Sequence, residues 1–122
     1  MENAGSHCVL WYVPEVANDI VIDFNYTPYN TSDGLGIVFW NARGLSGSSI
    51  FALDQVPRFG DFSLYTKGTI TNYRTTFFGT NPDIDRAYST IRKDPGNYLT
   101  AQGPDFVSGS ANSIFRVTIF SR

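Results

Sequence analysis

From Ile20 to Tyr26 the chain alternates: Ile20, Ile22, Phe24 and Tyr26 fall on one side, and Val21, Asp23 and Asn25 on the other. A period of two is the spacing of a half-buried strand. The pattern returns over 114–120, where Phe115, Val117 and Ile119 oppose Arg116 and Thr118. Residues 7–13 (HCVLWYV) read as a further strand, stopped by Pro14. Residues 35–41 (LGIVFWN) are apolar on both faces, as expected of a central strand covered on both sides. Gly36 within it predicts a bulge or the close approach of another backbone. Between these runs, 28–34 (PYNTSDG) is dense in turn residues and ends on Asp33-Gly34, a strong turn signal.

The middle of the chain is more polar. Residues 42–60 are glycine- and serine-rich and form a long connection, with a short helical turn expected around Phe51–Gln55. Two strands are expected next, over 62–67 and 69–78. The first puts Ser63, Tyr65 and Lys67 on one face; the second puts Ile70, Asn72, Arg74, Thr76 and Phe78 on one face, with Tyr73, Thr75 and Phe77 opposite. Residues 79–96 read as irregular, with a turn over Arg92-Lys93-Asp94-Pro95-Gly96. A short strand follows over 97–102, then a loop over 103–113. Six or seven strands and almost no helical period define an all-β chain. Turn spacing favours two packed antiparallel sheets, a β-sandwich forming a single domain over 1–122. Apolar strands begin and stop close to both termini, so the domain is expected to be a fragment, truncated at both ends, with partner strands missing.

Composition narrows the function. Aromatic residues make up 16% and charged residues 16% of 122 residues, which suits strands and argues against disorder. A net charge of -2 supplies no basic field, so nucleic acid is not an expected partner. No apolar run approaches the roughly 20 residues that cross a bilayer as a helix, so no membrane partner is expected. One Cys (Cys8) and one His (His7) leave no cysteine cluster and no two-histidine metal site, and neither metal nor cofactor is expected. No leader segment is recognisable, and neither compartment nor oligomeric state can be read. Asn25 and Asn30 begin glycosylation sequons, which matter only in a secreted eukaryotic chain. Asn30, Ser32 and Asp33 lack the spacing of a calcium loop, so a turn is the expectation.

The strings WYVPEVANDIVIDFNYTP, DGLGIVFWNARG, RFGDFSLYTKGTITNYR, RKDPGNYLTAQGPD and FRVTIF, in this order from about His7 to Phe120, resemble the YesU-like proteins. That family of unknown function has a concanavalin A-like jelly-roll β-sandwich and is often encoded near polysaccharide-degrading enzymes. The resemblance implies the jelly roll and a carbohydrate setting. The chain departs from the family pattern at Tyr73-Arg74-Thr75-Thr76-Phe77-Phe78, where Arg74 stands in place of a histidine. A catalytic base carried by that histidine would be missing here.

A concave sheet lined by Tyr65, Lys67, Asn72, Tyr73 and Arg74 suits a sugar, with Trp40 as an added stacking platform. Sugar hydroxyls need many directional donors and acceptors, and their C–H faces pack on aromatic rings. Arg74 is placed to grip a uronate carboxylate with two hydrogen bonds. A solvated sheet face with polar cross-strand pairs is the plain alternative. The expected function is therefore binding of a poly- or oligosaccharide on the concave sheet. One alternative is a polysaccharide lyase or glycoside hydrolase in the full-length protein; the other is an interaction domain without a small ligand. Only two glutamates, Glu2 and Glu15, occur, and Asp83 and Asp85 lie in a turn-like segment, so no good glycosidase pair is visible. A lyase would instead use Tyr65 or Tyr73 as a base beside Lys67 or Arg74.

Overall fold

The computed structural model describes residues 2–4, 7–17, 19–29, 35–78, 88–105, 107 and 112–122. Its elements are β1 (Glu2–Ala4), β2 (His7–Val9), β3 (Ile20–Tyr26), β4 (Leu35–Gly44), α1 (Phe62–Thr66), β5 (Ile70–Phe78), β6 (Tyr88–Asp94), β7 (Tyr98–Pro104) and β8 (Phe115–Ser121). β1 pairs with β2 and β3 with β8, both antiparallel, and a four-stranded sheet runs in the order β4-β5-β6-β7. The all-β antiparallel class expected from the alternation holds. No helix among the described residues is long and apolar enough to cross a membrane.

Two compact units divide the chain. The first gathers Met1–Glu15, Phe39–Arg74 and Arg92–Tyr98; the second gathers Val16–Val38, Thr75–Ile91 and Leu99–Arg122. The core of the first unit is Ile50, Tyr65 and Ile70, with Val9, Trp11, Phe39 and Ala42 packed on it. Its centre is aromatic: Phe39 stacks on Tyr65 at 5.4 Å between centroids, and Trp11 lies 6.0 Å from Phe39 and 6.2 Å from Tyr65. Phe39 and Ala42 are three apart in β4 yet join the same core, because Asn41 between them takes a positive φ of 50° and shifts the alternation.

α1 replaces the strand expected over 62–67. The Asp61 side chain caps it, accepting from Ser63 N at 2.9 Å and Ser63 Oγ at 2.8 Å. Phe59 and Gly60 immediately upstream both have positive φ, 52° and 83°, so the chain turns before it enters the helix. Tyr65 is fully buried and accepts a hydrogen bond from Gly60 N at 3.0 Å. Six residues of alternation fit a strand and a single helical turn equally well, and the cap decides between them. Around 51–55 there are hydrogen-bonded turns, Ala52 N to Ser49 O and Gln55 N to Ala52 O, but no helix.

β6 corrects the irregular reading over its own residues, Tyr88–Asp94, while 79–87 lie outside the described residues. Its buried residues are Thr90 and Asp94, so the inward face is polar and leaves no apolar period. The turn moves to Pro95–Asn97, where Gly96 (φ 111°) and Asn97 (φ 58°) take the left-handed region. The strand expected over 7–13 is also shorter, β2 ending at Val9, whereas β4 and β7 run on to Gly44 and Pro104.

In the second unit β3 and β8 alternate half-buried and exposed residues along their whole length, in a register from Ile20↔Ser121 to Tyr26↔Phe115. Arg116 donates to both Asp23 oxygens, and these bonds hold the Asp23 carboxyl below its usual range and the Arg116 guanidinium above its own. Tyr26 packs on Phe77 at 5.5 Å, and its ring closes over Gly36. The close approach at Gly36 is thus a side chain rather than a backbone. Thr76 and Thr90 share a buried hydroxyl contact of 2.8 Å.

Gly68 follows α1, and a Cβ added there would collide with the Leu64 carbonyl. Gly68→Ala is expected to cost about 1–3 kcal/mol or more in urea melts, since backbone does not yield as a side-chain tip does. Burial, and secondarily the Asp105 charge, raises the Tyr26 phenol above its ordinary value of 10.0. Its contribution to stability is therefore complete below pH 10 and is lost as pH rises through the folded-state value. Phenolate absorbance titrations of wild type and Tyr26→Phe should reveal one tyrosine ionising late, and melts above pH 10 should fall less steeply in the variant.

Candidate functional site

The site lies wholly within the first unit and is built on a buried polar layer. Arg74 on β5 donates from Nε to Asp94 Oδ2 at 2.7 Å, and both side chains are buried, 5% and 0% exposed. Arg74 Nη2 also donates to Asn97 Oδ1, and Asn97 N donates back to Asp94 Oδ1 at 3.1 Å. Arg92 Nη1 donates to Asn97 O at 2.8 Å, which secures the β6–β7 turn. The Arg74 guanidinium lies over the Phe62 ring of α1, 5.2 Å from its centroid. Gly96 N donates to Thr66 O at 3.0 Å, fixing the turn to the same helix. Asn72, also buried, donates from Nδ2 to Tyr65 O at 2.8 Å. Its Oδ1 is buried and meets no hydrogen-bond partner among the described residues. Such a group is rare in a folded core and calls for an explanation.

A second set crosses three neighbouring strands. Trp40 on β4 stacks on Tyr73 on β5, with centroids 6.0 Å apart and planes at 21°. Lys93 on β6 places Nζ 5.9 Å from the Tyr73 centroid. Aromatic and cationic neighbours on adjacent strands support each other in this way. Beside this row lies an open cleft of about 270 Å³ lined by Asn41, Thr71, Asn72, Tyr73, Lys93 and Asp94. Asn41 belongs to the cleft at the point where its positive φ shifts β4. Lys93 is exposed and has no carboxylate within ion-pair distance among the described residues.

Of the residues expected at a site, Trp40, Tyr73 and Asn72 come together here. Tyr65 is core, Lys67 is an exposed residue at the end of α1, and Arg74 is turned into the protein toward Asp94. The shared strand face drawn for Tyr65 and Lys67 does not exist, because 62–66 is helical. Arg74 holds a carboxylate as its chemistry suggested, but the carboxylate belongs to Asp94. Asn41, Thr71, Lys93, Asp94 and Asn97 were not singled out from the sequence. Lys93 and Asp94 looked like part of a turn, and only the Asp-Pro-Gly-Asn string marked where the real turn would form. Asp83, Asp85, Asn30, Ser32 and Asp33 lie outside the described residues.

Arg74→Met would leave the Asp94 carboxylate buried without its cation. A loss of about 3–5 kcal/mol is expected in urea melts at pH 7. Adding Asp94→Asn should recover part of it, since the two side chains are directly coupled.

Comparisons with known proteins agree with this architecture. The chain is similar to the uncharacterized protein YesU of Bacillus subtilis (strain 168), 28% identical over 102 residues, covering 82% of this chain and 46% of that protein. It is also similar to a crystal structure of a protein of unknown function with a galectin-like fold from Bacillus subtilis. That match has a TM-score of 0.74 and 26% identity, over 83% of this chain and 47% of the other. The chain thus spans about half the length of the relatives it matches. The antiparallel β-sandwich of jelly-roll type and the YesU-like resemblance both stand. The family described as a domain of unknown function (DUF1961) matches residues 1–121, and the chain belongs to it.

Proposed function

We propose that this domain binds a poly- or oligosaccharide along the Trp40–Tyr73–Lys93 row, with the adjoining cleft holding part of the sugar. The carrying observation is the stacked aromatic pair and lysine set beside an amide and a hydroxyl, those of Asn41 and Thr71. Aromatic surface packs the C–H face of a pyranose, while amides and hydroxyls exchange hydrogen bonds with its rim. A galectin-like fold in a similar protein supports the same reading at the level of fold analogy.

The roles first drawn from the sequence are redistributed in this proposal. Trp40 and Tyr73 are contacts, Asn72, Arg74 and Tyr65 support the site from beneath, and Lys67 takes no part. Asp94 is the one carboxylate that lines the cleft among the described residues, and both its oxygens are already engaged. Paired-carboxyl glycoside hydrolysis needs a second acid roughly 5–10 Å away, so binding is favoured over hydrolysis.

A glycan array followed by calorimetry on the hits tests the proposal. Trp40→Ala and Tyr73→Ala should each weaken binding roughly tenfold or more, while Lys67→Ala leaves it unchanged. Folded variants that bind as wild type would remove the row from the site.

A further inference from the structure

We infer that the sugar is acidic and that Lys93 holds its carboxylate; this rests on the binding reading above and names the ligand class for the same cleft. Two charged residues line the cleft, Lys93 and Asp94, and Arg74 lies buried behind Asp94. Asp94 and Arg74 neutralise each other across 2.7 Å with both side chains buried. The positive charge left over sits on Lys93, which is exposed, lines the cleft and has no ion-pair partner among the described residues. The whole chain carries -2, so attraction for an anion here is local rather than a general field.

Position adds to charge. Lys93 Nζ is held 5.9 Å from the Tyr73 centroid, and Tyr73 in turn stacks on Trp40. A pyranose seated on the aromatic pair therefore has its ring substituents within the lysine's reach. A carboxylate on that ring meets an ammonium that moves on a flexible stem and needs no fork geometry. Arg74, the residue whose shape best fits a carboxylate, is already committed to Asp94. That commitment matters, because an unneutralised Asp94 in the cleft wall would repel the same ligand.

Calorimetry with alginate, polygalacturonate and hyaluronate, each beside its carboxyl-reduced counterpart, tests the inference on the purified protein. At least one uronate should bind about tenfold or more tightly than its reduced form, as expected for a charge-assisted hydrogen bond. Lys93→Gln should shrink that difference by weakening the acid form more than the reduced one, Lys93→Arg should keep most of it, and added salt should narrow it. Equal binding of acid and reduced forms, or uronate binding untouched by Lys93→Gln, overturns the acidic-ligand inference and leaves sugar binding in place. Binding to neutral glycans only on the array does the same. No binding to any glycan removes the sugar reading itself, and this inference with it.

Discussion

The ion pair between Arg74 and Asp94 is the constraint on which the site is built. Burying a carboxylate and a guanidinium costs several kcal/mol per ion before their attraction is counted, so the pair persists only where further hydrogen bonds complete it. Asn97 provides them on both sides, donating from its backbone to Asp94 and accepting from Arg74 with its side chain. Three elements are fixed by these contacts: β5 through Arg74, the end of β6 through Asp94, and the β6–β7 turn through Asn97. Lys93, one residue before Asp94, points the other way along a strand whose alternation is set by that buried neighbour. The position of the exposed cation over Tyr73 thus follows from the buried carboxylate next to it in the strand.

β4 supplies the other half of the geometry. A regular strand would keep Phe39 and Ala42 on opposite faces, and the positive φ at Asn41 brings both into the core. Trp40 is left on the far side of Phe39 and meets Tyr73 across the strand pair. Asparagine suits this place because its short polar side chain tolerates the left-handed region better than most residues do. The conformational irregularity and the cleft lining therefore coincide in one residue.

Where burial is apolar, the sequence was readable. Ile20–Tyr26 and the strand ending the chain alternate plainly, and β3 and β8 pair along that whole alternation. On β6, where the inward face is polar, the pattern fell silent. β6 turns Thr90 and Asp94 inward, and their partners, Thr76 and Arg74, are themselves polar and lie on another strand. No local period can announce a contact of that kind. The same reason accounts for the site. Trp40, Tyr73 and Asn72 were recognisable by residue type, but the direction of Arg74 depended on a carboxylate twenty positions away. The helix at 62–66 was legible in principle from Asp61 as a cap, a signal that the alternation of its six-residue window obscured.

Holding a ligand and cleaving it make different demands on a carboxylate. A general acid must carry a proton, and a nucleophile or base must present a lone pair to the reacting atom. Asp94 presents neither, since its side chain is fully buried and paired with Arg74 inside the protein. A lyase would ask for a tyrosine hydroxyl beside a cation. Tyr73 and Lys93 are neighbours, but the ammonium faces the ring rather than being bonded to the hydroxyl. Each charged group at the cleft is thus arranged to fix a surface: one pair locked beneath it, and one cation steadied upon an aromatic ring. Under the proposed binding function, such pre-positioned groups would spare a ligand the cost of ordering them.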